Sequence, residues 1–217
     1  MIDILVFTYY KNTFLIPKQL TMFERVWTLP YTLTYVIAGD TTELTLPRKY
    51  DTSRTRFLTM KERGFAGNIL HFCETLVHFV DKQDPFLMLM DDFMLFEVND
   101  TLITFAQYMI REWKDVGCVR LVPWPGPTLP LGDDFGEIDK TLDYAISLQA
   151  SFWKPQTFLD LLDASWNPWE IELNGSKRAA TYDKRFIGCK TCAVNYKDYM
   201  CRGNLRPEHA AWVDKRL

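Results

Sequence analysis

The stretch from Pro85 to Leu95, PFLMLMDDFML, most constrains what this chain can fold into. Residues 86–90 are an unbroken apolar run, opened by Pro85 and closed by two adjacent carboxylates, Asp91 and Asp92. This run predicts a strand buried on both faces, because it is short for a helix and its flanks interrupt helices. Ligands of open α/β sheets bind beyond the carboxyl ends of strands, where two carboxylates suit a divalent cation that carries phosphates. The alternative is that they only cap the following turn.

The composition is that of a soluble globular protein, with 217 residues, 47% hydrophobic and 24% charged. No apolar stretch reaches the roughly 18 residues of a membrane-spanning helix, and the first residues form no basic leader. We therefore expect a cytoplasmic protein without a membrane span. Five cysteines in a chain of this size predict reduced thiols. The many aromatic residues provide surfaces on which sugars or bases can stack.

Charge divides the chain into two parts. Residues 174–217 contain ten Lys or Arg and four acidic residues, a net charge of +6. Since the whole chain carries −3, residues 1–173 carry −9. We predict a main domain over residues 1–173 and a basic carboxyl-terminal subregion, 174–217, packed on it. The basic part suggests a polyanionic partner, or else it is a solvated face that balances the acidic body.

Strand patterns alternate with helix patterns, which predicts a mixed, mostly parallel sheet flanked by helices in a single α/β domain. The predicted strands are residues 2–8, 31–38, 44–46, 56–59, 86–90, 118–122 and 144–153. The predicted helices are residues 15–27, 65–80, 99–113 and one that begins at Pro155. Residues 123–136 contain four prolines and three glycines, which predicts an irregular surface loop around Trp124.

Two further groups of residues have side chains suited to chemistry. Tyr9 and Tyr10 follow the first strand, where they either stack a nucleotide base or serve packing. Glu170 and Glu172 follow Trp169, and a carboxylate partly desolvated by an indole suits a general base. On a helix the two would point about 200° apart, and they would then be ordinary first-turn acids.

A metal site of a different kind is suggested near the carboxyl terminus. Cys189 and Cys192 are separated by two residues and are followed by Cys201 and His209. Four such ligands suit a structural zinc, although only the first pair has a typical spacing. The alternative is that the cysteines are reduced and bind no metal.

Four segments in order carry a resemblance to a known family. They are the strand ending in Asp91-Asp92-Phe93, VRLVPWPGP at 119–127, SLQASFW at 147–153 and NPWEIELNGS at 167–176. Over roughly residues 1–205 the chain resembles a family of small GT-A-like glycosyltransferases of tailed bacteriophages and bacterial polysaccharide loci. The resemblance implies a GT-A-like, Rossmann-like catalytic domain over 1–173 that binds a nucleotide sugar.

The resemblance also implies roles for particular residues. The donor, most simply a UDP-sugar, would lie at the ends of the first strands, and Mn²⁺ or Mg²⁺ would neutralise its diphosphate. Glu172 or Glu170 would deprotonate the acceptor hydroxyl and give inversion, whereas a retaining mechanism would need no such base. The implied donor-side residues are Thr8, Tyr9, Tyr10, Asp91 and Arg120, with Asp92, Asp91 and His209 as metal ligands. The implied acceptor-side residues are Trp124, Trp153, Trp169, Lys177 and Arg178.

The sequence leaves three alternatives for the acceptor and the activity. The favoured acceptor is a hydroxymethylated pyrimidine in phage DNA, bound in the host cytoplasm through the basic segment 174–217. The second alternative is the same sugar transfer to a surface glycan or a lipid-linked saccharide. The third is a non-catalytic nucleic-acid-binding module in which the acidic residues are structural.

Overall fold

A computed structural model of the protein describes residues 1–39, 52–79, 84–201 and 203–217, except for the side chains of 76–79. The strands are β1 (Ile2–Tyr9), β2 (Tyr31–Ala38), β3 (Thr55–Met60), β4 (Phe86–Met90), β5 (Phe93–Val98), β6 (Val116–Arg120), β7 (Leu129–Leu131), β8 (Phe135–Glu137), β9 (Ser151–Trp153), β10 (Arg185–Cys189), β11 (Val194–Asp198), β12 (Met200–Cys201) and β13 (Asn204–Leu205). The helices are α1 (Ile16–Val26), α2 (Phe65–Phe79), α3 (Asp100–Glu112), α4 (Pro155–Leu161), α5 (Pro168–Ala179) and α6 (Pro207–Asp214), and a 3₁₀ turn spans Tyr10–Leu15.

Nine of these strands form the central sheet, in the order β3-β2-β1-β4-β9-β6-β10-β8-β7. Seven of the nine run in one direction, and β9 and β8 run in the other. Two apolar clusters cover the two faces of the sheet. One contains the buried sides of α1 and α3, and the other those of α2, α4 and α5. The predicted mixed, mostly parallel sheet flanked by helices is therefore confirmed.

The first half of the sheet follows directly from its sequence. β1 pairs in parallel with β2 along its full length, from Ile2 opposite Tyr31 to Tyr9 opposite Ala38, and with β4 on its other side. Strands covered by helices on both faces need apolar side chains at successive positions, and β1 and β4 have them. The predictions for these strands, for β3 and for helices α1 to α4 are confirmed. The predicted strand at 44–46 lies outside the described residues.

Three sequence predictions fail in the second half. The strand predicted at 144–153 is reduced to β9, because polar side chains hold residues 144–148 in place of a strand ladder. The strand predicted at 118–122 begins at Val116 instead. Residues 123–136 are not wholly irregular, since β7 and β8 form a hairpin at the sheet edge, where Pro130 is tolerated.

The segment 174–217 is shared among several parts of the fold. β10 lies within the central sheet, between β6 and β8. β11 pairs with β5 in a separate two-stranded sheet, and α6 packs on a third apolar cluster with Leu15, Met94 and Tyr199. Across the described residues, none of the helices has the length and apolar character required to cross a bilayer.

Candidate active site at the carboxyl edge of the sheet

A cavity of about 380 Å³ opens where β1, β2 and β4 end. Because these strands are parallel neighbours, their carboxyl ends meet at one edge of the sheet. The cavity is lined by residues from the strand ends and from α5 and β12, including Thr8, Tyr9, Asn12, Ala38, Asp91, Asp92, Trp169 and Met200. Of the five residues that the resemblance implies on the donor side, Thr8, Tyr9 and Asp91 line this cavity, and Tyr10 and Arg120 do not.

Asp91 is the anchored member of the acidic pair. Its side chain is buried, and its Oδ2 accepts hydrogen bonds from Thr8 Oγ1 at 2.7 Å and Asn12 Nδ2 at 3.1 Å. Burial raises the pKa of Asp91, and the two hydrogen bonds act in the opposite direction. Thr8 and Asn12 therefore hold the turn between β4 and β5 against the end of β1.

Asp92 lines the cavity together with Asp91 and is the less buried of the two. Its side chain is half-buried, and burial, followed by the charges of Asp91 and Asp198, raises its pKa to about 7. Asp198 is a functional candidate that sequence reasoning missed. It lies opposite Phe93 in the β5–β11 pair, a contact between distant segments that no local pattern reveals. Asp91 and Asp92 create a negative potential that a bound cation would relieve, whereas the Asp198 carboxylate already lies 3.4 Å from the Arg206 guanidinium.

Gln19 is a second residue that sequence reasoning missed. It lies on the buried side of α1, and its Nε2 donates to the carbonyl oxygens of Met90 at 2.6 Å and Phe93 at 3.3 Å. These two carbonyls lie on either side of the acidic turn in the chain, so α1 holds the turn in place through Gln19. The available signal was a glutamine on the apolar stripe of α1, where a buried polar side chain needs partners.

Tyr9 and Tyr10 take different positions. Tyr9 is 39% exposed and lines the cavity, whereas Tyr10 packs partly buried against the core. Their ring centroids lie 4.7 Å apart in an edge-to-face arrangement. Gly39, with φ of +113°, leaves room for both rings, since an added Cβ there would overlap Tyr10 and lie 3.1 Å from Tyr9 Cε2. Of the two, the ring of Tyr9 is the one available to a ligand.

The acids near Trp169 lie on a helix and therefore diverge. Trp169, half exposed, lines the cavity from the first turn of α5. Glu170 completes a capping box, in which its Oε2 accepts from the backbone N–H of Asn167 at 2.8 Å. Glu170 thus has a structural partner of its own at the start of the helix.

Glu172 faces the loop before β9. Its Oε1 accepts from the backbone N–H of Leu148 at 2.9 Å and from Ser147 Oγ at 3.1 Å. Its charge also acts on Arg120 and Tyr196. The same helix therefore contributes Trp169 to the cavity and a carboxylate to the neighbouring region.

That region is a second depression of about 480 Å³, which we call the β11 groove. Its lining includes Phe93, Trp124, Gln149, Asn195, Tyr196, Lys197, Asp198 and His209. His209 Nδ1 lies 2.9 Å from the carbonyl oxygen of Asp198. Burial raises the pKa of Asp198, and the charge of Arg206 acts in the opposite direction. Trp124, 67% exposed, lies at the same groove.

The structure does not bring Arg120 or Trp153 to either opening. Both side chains are fully buried. Arg120 donates to the carbonyl oxygens of Pro125, Tyr144 and Ala145 at 2.8–2.9 Å, so its guanidinium ties loops together. The indole of Trp153 stacks on Phe158 with ring centroids 4.5 Å apart, which is a core contact.

The two basic residues assigned to the acceptor lie on the later turns of α5. Lys177 is exposed to solvent. Arg178 is engaged by its own neighbours: its guanidinium lies 3.5 Å from the Asp163 carboxylate and 4.4 Å from the ring centroid of Trp166. Neither residue is among those that line the cavity or the β11 groove.

The structure also bears on both metal hypotheses. Among the described residues, no three His, Cys, Asp or Glu side chains are grouped as metal ligands, so the proposed zinc set of Cys189, Cys192, Cys201 and His209 does not form there. Mn²⁺ and Mg²⁺ make a different demand, since one or two carboxylates suffice when substrate phosphates and waters complete the shell. The three predicted ligands Asp91, Asp92 and His209 are likewise not grouped among the described residues, but Asp91 and Asp92, which both line the cavity, suit such an ion as a pair.

Comparisons with known proteins support the fold. No family model matches the chain, and no curated protein matches it. Among solved structures it is similar to residues 1–349 of TarS from S. aureus, with a TM-score of 0.59 and 14% identity over 98% of this chain and 62% of that one. A mannosyltransferase from Pyrobaculum calidifontis, solved with GDP-Man and Mn²⁺, gives a TM-score of 0.55 and 16% identity over 97% and 59%.

A third similar structure, a 4-diphosphocytidyl-2C-methyl-D-erythritol synthase, has a TM-score of 0.53 and 14% identity over 98% of this chain and 97% of that one. The chain spans about three fifths of the length of the TarS fragment and the mannosyltransferase. At these identities the likeness establishes the fold: this is the α/β architecture shared by GT-A-like glycosyltransferases and nucleotidyltransferases.

Proposed function

We propose that the protein is a glycosyltransferase that binds a nucleotide-sugar donor in the cavity at the carboxyl edge of β1, β2 and β4. The observation that carries the proposal is the acidic turn, whose Asp91 and Asp92 both line the cavity while Thr8 and Asn12 hold Asp91 in place. Two similar structures support it, since TarS has been solved with UDP-GlcNAc and the mannosyltransferase with GDP-Man and Mn²⁺.

The residues of the cavity suit the parts of such a donor. The exposed ring of Tyr9 offers a surface for the base. Asp92, with Asp91 and Asp198 nearby, would hold Mn²⁺ or Mg²⁺ together with the diphosphate. When bound, the ion supplies positive charge that stabilises the departing diphosphate.

We assign the role of general base to Glu172. Its Oε1 is held by Leu148 and Ser147 in the loop that leads to Gln149 of the β11 groove, whereas Glu170 is used in the capping box. Glu172 takes the proton of an acceptor hydroxyl as the hydroxyl oxygen bonds to the anomeric carbon of the sugar. The bond between that carbon and the diphosphate oxygen breaks, the nucleoside diphosphate leaves, and the configuration inverts.

The test is release of nucleoside diphosphate from a panel of UDP-glucose, UDP-GlcNAc and GDP-mannose, with MnCl₂ or with EDTA. We expect one donor to be consumed, EDTA to stop the reaction, and Asp92→Asn to lower turnover at least 100-fold. Asp133→Asn is the matched control, because Asp133 is exposed on the turn between β7 and β8 and should behave as wild type.

Absence of release with every donor, together with absence of UDP or GDP binding by calorimetry, would contradict the proposal. If the same protein bound duplex DNA, the non-catalytic nucleic-acid-binding alternative would replace it. Thermal unfolding of Asp92→Asn distinguishes loss of chemistry from loss of fold.

Nucleotidyl transfer is a second candidate, favoured by the similarity to the diphosphocytidyl synthase over 97% of that protein's length. In this reaction a phosphate oxygen of a sugar phosphate would bond to the α-phosphorus of a nucleoside triphosphate, and the bond from that phosphorus to the β-phosphate oxygen would break and release pyrophosphate. Pyrophosphate release with CTP or UTP in the same assay, without diphosphate release from nucleotide sugars, would select it.

A further inference from the structure

We propose that the β11 groove is the acceptor site and that its ligand is a saccharide whose ring stacks on Trp124. This inference rests on the proposed function, which it extends by naming the class of acceptor. It departs from the sequence-based preference for hydroxymethylated DNA.

The groove and the donor cavity share a wall. Asp92 lines the cavity, and Phe93, the next residue, lines the groove. Asp198, the last residue of β11, lines the groove, and Met200, the first residue of β12, lines the cavity. Between them, the backbone N–H of Tyr199 donates to the carbonyl oxygen of Asp92 at 2.8 Å. A ligand in the groove therefore lies beside the acidic turn, where the sugar of a donor would be held.

Glu172 lies on the same side as the groove. Its partners Ser147 and Leu148 immediately precede Gln149, which lines the groove, and its charge acts on Tyr196 across the groove wall. Trp169, one turn earlier on α5, lines the cavity. Glu172 itself lines neither opening, but it contacts the residue next to Gln149 of the groove, and its helix also supplies Trp169 to the cavity.

The chemistry of the lining matches a sugar ring. Pyranose rings present an apolar face of C–H groups and an equatorial rim of hydroxyls. The exposed indole of Trp124 can stack on the apolar C–H face. The side-chain amides of Gln149 and Asn195 can form hydrogen bonds with the hydroxyls. Tyr196 is stacked on Phe93 with centroids 3.8 Å apart and donates to Gln149 Oε1 at 3.4 Å, which fixes this side of the groove.

The charges favour a saccharide over DNA. In the basic segment 174–217, four cations already lie within 4.0 Å of carboxylates: Arg178 with Asp163, Lys184 with Asp183, Arg185 with Asp115, and Arg206 with Asp198. Of the described residues that line the groove, Lys197 and His209 are basic, and Asp198 opposes them. A DNA backbone needs several phosphate contacts for useful affinity, whereas hydroxyls need neutral hydrogen-bonding groups.

The test uses the full chain with UDP and MnCl₂ and saturation-transfer NMR. The probes are the methyl glycosides of glucose, galactose, mannose and N-acetylglucosamine, and a duplex that contains 5-hydroxymethylcytosine. We expect signal from at least one glycoside and at least a tenfold loss of its affinity in Trp124→Ala. Tyr108→Ala, a matched exposed aromatic on α3, should bind as wild type.

Several results would overturn the inference while leaving the donor site intact. They are UDP binding without binding of any glycoside, glycoside binding that is unchanged in Trp124→Ala, and diphosphate release stimulated by the hydroxymethylated duplex but by no glycoside. Failure of the proposed function is a separate result, because UDP and GDP would then not bind at all. Since Trp124 is largely exposed, its removal should leave the unfolding midpoint unchanged, and this is measured alongside.

Discussion

The two halves of the central sheet obtain their geometry by different means. In the half that bears the donor cavity, β3, β2, β1 and β4 form an uninterrupted parallel ladder, and the strand ends themselves place the functional residues. In the half beside the β11 groove, the strands have three to five residues and change direction, and long loops connect them. Side chains, chiefly Arg120 and Glu172, hold these loops. Backbone pairing thus positions one site and buried polar contacts position the other.

The largest expected effect separates the two glutamates of α5. Glu172→Gln should lower kcat by a factor of roughly 10²–10⁴, about 3–5 kcal/mol in the barrier, with the donor KM unchanged. Glu170→Gln is the matched control, because glutamine also completes a capping box and should leave turnover within twofold. Steady-state kinetics checks both. A raised donor KM in Glu172→Gln, with kcat retained, would show that Glu172 contributes to donor binding and not to proton transfer.

Arg120→Met should show how far the groove half depends on one side chain. The change leaves three carbonyl oxygens without their donor and should lower the free energy of unfolding by about 3 kcal/mol. Urea unfolding measures this loss, and hydrogen exchange should show faster exchange confined to residues 123–149.

Arg185→Ala provides the comparison for Arg120→Met, since Arg185 pairs with Asp115 and Glu137 at the surface. It should cost about 1 kcal/mol or less. Equal losses in the two variants would contradict the view that Arg120 organises the loops.

Gly39→Ala probes the donor half. An alanine at φ of +113° is strained, and its Cβ would overlap Tyr10, so we expect a loss of about 2–3 kcal/mol and a raised donor KM. Gly132→Ala shares a positive φ of +77° but meets no atom within 4 Å, and it should cost about 1 kcal/mol without a kinetic effect. Thermal unfolding and donor kinetics test the pair. Equal losses of stability and equal donor KM values in the two variants would mean that backbone strain alone causes the effect, without displacement of the two tyrosines.

Gln19→Leu should have a small effect on stability, about 1 kcal/mol. The change removes two hydrogen bonds but also removes Oε1, a buried acceptor for which no partner is found among the described residues. Its kinetic effect should be larger, because the turn that carries Asp92 loses its support. An unaltered kcat in this variant would show that the parallel ladder alone fixes the turn.

The same contrast explains what the sequence could predict. Parallel strands buried on both faces require continuous apolar runs, so residues 2–8, 31–38 and 86–90 were recognisable, and the acidic pair at the end of β4 marked the cavity. The rule that ligands bind at the carboxyl edge singled out Thr8 and Tyr9, which the structure places in the lining of that cavity.

The second half carries no comparable local signal. The run at 144–153 has the apolar content of a strand, but contacts from Arg120 and Glu172 to backbone groups replace most of its ladder. Arg120 and Trp153 resembled ligand-binding residues because their types are common in such sites, yet both are buried. Asp198 and β10 depend on pairing between distant segments, which periodicity within one window does not encode.

The buried guanidinium of Arg120 has a consequence for how this protein can be altered. All three of its hydrogen bonds go to backbone carbonyls, at Pro125, Tyr144 and Ala145. Every residue has a backbone carbonyl group, so these three hydrogen bonds hold the loop without depending on the side chains at the three positions. Exposed residues between the anchor points, such as Leu142 at 50% exposure, can therefore be exchanged by evolution or by design while the course of the chain is kept, whereas buried ones such as Phe135 and Ile138 cannot.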